Sequence, residues 1–326
     1  MNYGFWKKLK KPFFVLAPMA DVTDAAFRRM IAKYGAPDVF WTEFVSADGL
    51  CSPGRKVLLR DLEFSRKERP IVAQLFTAHP DKMCEAAALC QKLGFDGIDI
   101  NMGCPDKSIE KQGAGAAMIR TPQIARAVIR AAKEGAPKLP ISVKTRIGWS
   151  KNEIATWIPE ILEEGVAALT IHCRTRKELS LVPARWEHIR EVTALRDRIA
   201  PETLIIGNGD VRDLADAREK AREYGADGVM LGRAIFGNPW LFSGLHGKQI
   251  VPSVREKLLV CVEHTKLFTK LLGDVKNFAI MKKHYKAYVN GFDGAKELRV
   301  HLMECVDAKE VGKVVKDFLK ANKALK

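Results

Sequence analysis

Short apolar runs alternate with longer segments whose apolar residues recur every three or four positions, and this alternation organises the first three-quarters of the chain. Residues 13–18, 38–43, 71–76, 97–101, 141–145, 168–172, 203–207 and 228–232 read as buried strands. Between them, 81–93, 123–134, 154–164 and 214–224 carry the helical period. Helical patterns end on Gly35, Gly94, Gly165 and Gly225, which predicts left-handed C-caps at the joints to the next strands. Strands apolar on both faces, alternating with helices, predict a parallel sheet. Eight such units in about 245 residues match a closed α/β (β/α)8 TIM barrel. An open, doubly wound sheet is the alternative, but no GxGxxG follows the first strand.

Beyond Gly247 and Pro252 no strand pattern remains. Segments 254–272, 276–289, 294–305 and 307–324 read as helices separated by Gly273, by Asn290-Gly291-Phe292-Asp293 and by an Asp307 cap. The expected organisation is a catalytic TIM barrel over 1–247 and an all-helical domain over 248–326.

In such a barrel, residues at the carboxyl ends of the strands face one shared mouth. Those positions hold Pro18, Met19 and Ala20, then Glu43, Gln74, Asn101 with Cys104, Lys144 and Arg146. They continue with His172, Arg174 and Arg176, then Asn208-Gly209-Asp210 and Gly232-Arg233. Polar groups ending apolar strands are costly unless they meet a ligand or one another. The last two clusters end strands seven and eight, where barrels often bind phosphate; the same glycines could simply make tight turns. A phosphate there, with Lys144 and Gln74 across the mouth, suits FMN. Cys104 follows Asn101-Met102-Gly103 and precedes Pro105, a tight turn that lifts one thiol toward the mouth, although a small buried hydrophobe is the usual fate of a lone Cys.

Charge adds a partner. The 326 residues carry 54 Lys and Arg against 39 Asp and Glu, a formal net charge of +15. Counting residues 250–326 gives 16 basic and 9 acidic side chains, so +7 falls on the helical tail. That excess favours a polyanion, nucleic acid first. Lys282, Lys283 and His284, beside Tyr285 and Tyr288, form a candidate phosphate-backbone contact, against the alternative of a solvated helix face.

Seven cysteines, odd in number and with no CxxC pair, argue against a zinc site or disulfide framework and for a reducing compartment. The first eleven residues contain four lysines and no long apolar core, unlike a signal peptide. No run approaches the roughly 20 apolar residues of a membrane span. The expectation is a soluble cytoplasmic protein with no metal.

The ordered motifs resemble the tRNA-dihydrouridine synthases. They are Ala17-Pro18-Met19-Ala20-Asp21-Val22-Thr23-Asp24, Ala73-Gln74-Leu75-Phe76, Asp99-Ile100-Asn101-Met102-Gly103-Cys104-Pro105 and Val143-Lys144-Thr145-Arg146-Ile147-Gly148-Trp149. His172-Cys173-Arg174-Thr175-Arg176, Gly207-Asn208-Gly209-Asp210 and Met230-Leu231-Gly232-Arg233-Ala234 follow. In the tail, Lys283-His284-Tyr285 and Gly294-Ala295-Lys296-Glu297-Leu298-Arg299 echo the family's RNA-binding helices.

The resemblance implies an FMN enzyme that uses NADPH to reduce the C5–C6 bond of specific tRNA uridines. It would give FMN to Pro18, Met19, Ala20, Gln74, Lys144, His172, Asn208, Gly209, Asp210, Gly232 and Arg233. Cys104 would donate the proton, Asn101 and Arg146 would position the uracil, and Arg174, Arg176, Lys282, Lys283 and His284 would hold the RNA. tRNA is the partner implied; no protein partner is, so a monomer is expected.

Three departures stand out from the family pattern: Asp21 where many members have Gly, Cys173 where Gly follows the histidine, and a 177–186 loop without the Tyr and Gly expected before Trp186. Two other readings remain: a flavin barrel acting on a free pyrimidine, of the dihydroorotate dehydrogenase kind, and a non-catalytic RNA-binding protein on a retired barrel.

Overall fold

The computed structural model describes residues 2–322. Its strands are β1 (Phe13–Leu16), β2 (Phe40–Ser46), β3 (Ile71–Phe76), β4 (Gly97–Met102), β5 (Ile141–Arg146), β6 (Ala168–His172), β7 (Leu204–Asn208) and β8 (Gly228–Leu231). They pair in parallel in the order β1-β8-β7-β6-β5-β4-β3-β2. The ring closes between β1 and β2 through a Val15–Val39 bridge, where Leu16 N donates to Val39 O (3.2 Å) and Asp38 N to Phe14 O (2.9 Å). The expected (β/α)8 barrel is therefore present.

Helices α1 (Ala25–Tyr34), α2 (Pro80–Leu93), α3 (Pro122–Gly135), α4 (Ile154–Leu162), α5 (His188–Ile199) and α6 (Leu214–Tyr224) surround it. The strand-helix beat breaks twice. After β2, single turns at Ala47–Leu50 and Arg55–Leu58 replace a full helix, where Gly49, Pro53 and Gly54 interrupt the period. After β8 only the 3-10 turns Arg233–Ile235 and Ser243–Leu245 precede the tail.

Three of the four expected glycine caps have the positive φ that favours glycine: Gly94 (82°), Gly165 (61°) and Gly225 (74°). Gly35 is extended at φ 178°; its constraint is space, since a Cβ there would stand 2.6 Å from the Ser243 amide nitrogen.

The two faces of the strands feed two different interiors. Phe14, Leu16, Ile71, Ala73, Ile98, Ile100, Val143, Ile171 and Ile205 join the layer between strands and helices. Phe13, Val15, Trp41, Val72, Ala168, Leu204, Ile206 and Met230 fill the barrel itself. The same period of two puts polar residues inside toward the carboxyl ends: Gln74, Asp99 and Asn101, then Ser142 and Lys144, then Thr170 and His172, then Asn208. The lumen is thus apolar at its base and polar at its mouth. The base is stoppered by the 3-10 turn Gly4–Lys8, whose buried Trp6 packs against Phe13 and Trp41 at centroid distances of 5.9 and 5.8 Å.

The tail is helical: α7 (Val254–Leu272), α8 (Met281–Tyr288), α9 (Ala295–Glu304) and α10 (Ala308–Ala321). Ser253 and Glu256 form a capping box at the start of α7, and Asp307 accepts from the Lys309 and Glu310 amides (both 2.8 Å) at the start of α10. The helix expected from residue 276 starts later because Asn277 caps a separate turn, Phe278–Ile280. The helix expected over 307–324 is seen to Ala321, and its last two residues lie outside the described residues.

The tail docks on α1: Phe27 stacks on His264 at 4.8 Å, and Tyr34 Oη donates to Glu263 Oε2 (2.6 Å). Tail residues Phe268, Tyr285, Leu302 and Val315 belong to the same buried cluster as the barrel-helix layer. Among the described residues no helix is long and apolar enough to cross a membrane. Nor, among them, are three or more His, Cys, Asp or Glu side chains grouped to hold a metal ion.

Candidate active site

The mouth holds two adjoining cavities with a common floor. One, of about 270 Å³, is lined by Pro18, Met19, Lys144, His172, Arg174, Asn208, Gly209, Asp210, Gly232 and Arg233, with Ala17, Ser180, Val211 and Met230. The other, of about 150 Å³, is lined by Gln74, Asn101, Gly103, Cys104, Pro105 and Arg146, with Phe44. Pro18, Lys144 and His172 border both. Every residue expected at the cofactor except Ala20 lines one or the other. The half-buried Cys104 thiol sits beside Lys144 and His172, across that floor from the glycine-rich corner.

A chain of amides sets the thiol. Ser142 Oγ and Gln74 Nε2 each donate to a different oxygen of Asp99 (both 2.6 Å). Asn101 Nδ2 donates to Gln74 Oε1 (3.2 Å), which fixes the opposite end of the Asn101 amide. Asn101 Oδ1 then accepts from the Gly103 and Cys104 amides (3.1 and 2.9 Å), folding the turn that presents the thiol. Gly103 is needed for closeness, since a Cβ there would come 3.1 Å from the Thr145 carbonyl carbon.

Burial, with the neighbouring Asp106 charge, pushes the Cys104 thiol above its ordinary value, against the pull of Lys144 and Arg146. The sulfur is therefore protonated at neutral pH. Burial and then the Arg146 charge bring Lys144 down to about 8. Burial, followed by Arg146, Lys144, Arg174 and Arg233, holds His172 well below its usual value, so the ring is neutral. Arg174 Nη1 can only donate, so its 3.2 Å contact makes His172 Nε2 the acceptor and leaves the proton on Nδ1.

The other corner is built from β7 and β8. Gly209 has φ 126°, and a Cβ there would lie 2.8 Å from Ala184 Cβ and 3.3 Å from the His172 ring. Asp210, at φ 48°, pairs with both Arg174 and Arg233; its Oδ1 accepts from Arg233 at 2.5 Å. Arg233 is 64% exposed, so its guanidinium reaches solvent at the rim. A side-chain-free cradle beside Lys144 and an exposed guanidinium fits a flat polar ring system carrying a phosphate.

Several expectations are corrected. His284 is fully buried against Phe27, Phe236 and His264, so it cannot touch RNA. Tyr285 and Tyr288 are buried with it because the apolar side of α8 faces the barrel; Lys283 is exposed and Lys282 half-buried. Arg174 is 2% exposed, with Nε donating to Val182 O (2.6 Å), so it braces the chain rather than reaching a phosphate. Arg176 pairs with Glu110 and lies over the Trp149 ring (5.0 Å). Arg146, by contrast, lines the thiol cavity as expected, and its Nε donates to Gly103 O (2.7 Å) and Nη1 to Thr175 O and Leu179 O (3.1 Å each). Glu43 anchors the tail: Oε2 meets Lys276 Nζ at 2.7 Å, and Oε1 accepts from the Asp21 amide at 2.5 Å.

Two departures from the family pattern are explained. Asp21 takes φ 54°, a conformation glycine favours and Asp tolerates, and its carboxylate lies 3.5 Å from Lys283. Cys173 is fully buried, its thiol pushed up to about 12 by burial, and it packs as a small apolar filler.

Asp99 and Ser142 were missed. Each lies two residues before a recognised mouth residue, so counting back by the strand period would have found them. Lys276 had no local signal.

A family model described as dihydrouridine synthase matches residues 15–324. The chain is 41% identical over 322 residues to a "probable tRNA-dihydrouridine synthase" of Staphylococcus aureus (strain COL), covering 98% of this chain and 96% of that one. It is 40% identical over 324 residues to "probable tRNA-dihydrouridine synthase 2" of Bacillus subtilis (strain 168), covering 98% and 97%. Among solved structures, a 2-naphthoyl-CoA reductase complex matches with TM-score 0.54 at 10% identity, over 72% of this chain and 49% of that one. Histamine dehydrogenase from Rhizobium sp. 4-9 matches with TM-score 0.51 at 12% identity, over 78% and 48%. These two similarities speak to the barrel fold.

Proposed function

The chain belongs to the dihydrouridine synthase family, and from that premise we propose that it binds FMN and, with NADPH as reductant, reduces the C5–C6 bond of uridines in tRNA. The observation that carries this reading is the Cys104 thiol, presented by the Asn101 turn in a cavity that shares Pro18, Lys144 and His172 with the Gly209–Arg233 cradle.

The backbone of Gly209, Asp210 and Gly232, with the Arg233 guanidinium, would hold the FMN phosphate, and Lys144, Gln74 and neutral His172 would hold its ring. When bound, FMN supplies the hydride for uracil C6. Hydride addition there leaves enolate character across C5 and O4, and C5 then requires a proton. Cys104 supplies it, and the resulting thiolate is stabilised by Lys144 and Arg146 until solvent reprotonates it. The Asn101 turn fixes the direction of the sulfur. The target uracil leaves the RNA stack to reach the pocket, at a cost of a few kcal/mol. Exposed lysines of the helical tail, Lys283 among them, meet the RNA backbone.

The test is direct. The purified protein carries a flavin absorbance that identifies as FMN on release, NADPH bleaches it, and unmodified tRNA restores it. Cys104→Ala keeps the first two properties and loses tRNA turnover by about 100-fold or more. A colourless protein that takes up no FMN, or full tRNA turnover in Cys104→Ala, overturns the reading. Mapping dihydrouridine in tRNA from cells with and without the protein identifies the position modified.

A further inference from the structure

The loop that follows β6 presents an unusual surface. Residues 179–183 are all exposed, and three of them are apolar: Leu181 at 82%, Leu179 at 38% and Val182 at 36%. Single exposed apolar residues are ordinary, but three within four positions at the lip of a binding site are not. Ser180, between Leu179 and Leu181, lines the larger mouth cavity, so the cluster stands at the entrance.

The loop is held rigidly. Leu179 sits at φ 53°, a conformation rare for a residue with a bulky side chain. Two buried arginines brace its backbone: Arg146 donates to Leu179 O (3.1 Å) and Arg174 to Val182 O (2.6 Å). Glu178 accepts from the Thr175 amide (2.8 Å) and pairs with Arg185 (2.7 Å). The Arg176 and Lys177 amides donate to Gly148 O and Trp149 O (2.9 and 2.8 Å). A loop kept only for solubility would expose polar side chains and need no buried guanidinium.

We propose that Leu181, with Leu179 and Val182 beside it, is an apolar wedge that enters the RNA base stack at the gap left by the uridine drawn into the mouth. An extruded base leaves two apolar base faces uncovered, and rigid aliphatic side chains are what proteins insert between such faces. Exposed Lys177 flanks the apolar tip and places a cation where the backbone beside the gap would pass, while Arg185 is held by Glu178. The inference rests on the proposed function and adds a residue that favours the extruded state of the RNA.

The test compares wild type, Leu181→Ser and Leu181→Met on a folded tRNA carrying 2-aminopurine next to the uridine mapped as the target. Reduction of the flavin by NADPH serves as the control for intact protein and is the same in all three. With wild type, binding raises the 2-aminopurine fluorescence as the stack opens and is followed by turnover. Leu181→Ser shows little fluorescence rise and a kcat/KM on tRNA lower by about tenfold or more, and Leu181→Met restores both. An equal fluorescence rise and equal turnover in Leu181→Ser overturn the wedge while leaving the proposed function standing. Absence of tRNA turnover in wild type overturns the proposed function itself.

Discussion

Lys276, in the turn after α7, and Glu43, in the middle of β2, meet at 2.7 Å across 233 positions of sequence. Lys276 Nζ also reaches Asp61 Oδ1 (2.9 Å) and lies 4.0 Å from Asp21 Oδ1. Burial alone would lower the ammonium, but Glu43 and Asp61 outweigh it and hold Lys276 above its usual value. Burial pushes Glu43 up, to about 7, with Lys276 pulling against it. One cation thus ties the helical tail to β2 and to the Met19–Asp21 lip of the mouth.

Lys276→Met leaves Glu43 and Asp61 facing each other in a largely dry site. Breaking such a pair costs about 3 kcal/mol, read as a lower urea midpoint. Glu43→Gln in the same background recovers part of the loss. With the tail loosened, KM for tRNA rises while flavin reduction by NADPH is unchanged.

Gly209→Ala fails on two counts, since φ 126° disfavours any Cβ and the new methyl would meet Ala184 Cβ at 2.8 Å. The expected cost is about 1–3 kcal/mol, with loss of bound flavin as the cradle opens. Thermal denaturation and flavin content after gel filtration measure the two effects separately.

His264 and His284 are fully buried with ring centroids 4.6 Å apart. Burial, and then each one's cationic or imidazole neighbour, holds His264 well below its usual value and lowers His284 to about 3. Below about pH 6.5 the unfolded chain protonates these rings and the folded chain does not, so the unfolded state binds more protons and stability falls with pH. The loss continues down to about pH 3 for His284. Between pH 7 and pH 5 it amounts to about 2 kcal/mol per imidazole. Urea titrations at the two values check it: His284→Phe loses about 2 kcal/mol less than wild type. An equal loss in both removes His284 as the source.

Because burial raises the Cys104 thiol, iodoacetamide labels it slowly at pH 7. Labelling climbs only beyond the free-thiol value of about 8.5. Mass spectrometry of the Cys104 peptide follows this apart from the other thiols. An inflection below about 8.5 contradicts a sulfur poised to give up a proton.

The barrel was legible because its signals are local: the runs at Ile71–Phe76 and Ala168–His172 have the bounds their apolar content predicts. The mouth was legible because a period of two makes each strand end point inward, and Gln74, Lys144 and His172 all line the cavities. What local pattern could not say is which partner a charged group chooses. Arg174 and His284 look like surface chemistry in sequence, yet one braces a loop and pairs with Asp210, 36 positions on, and the other packs under α1 on a docked helix face. The Lys276–Glu43 contact is the extreme case, since neither end carries a motif.

The Trp6 stopper at the base of the barrel gives the mouth the character of a cul-de-sac. On the proposed function, dinucleotide and RNA would both have to enter from that open end. Traffic would then alternate, the spent reductant leaving before a nucleoside enters, in the order of a two-stroke cycle and not of a three-body encounter.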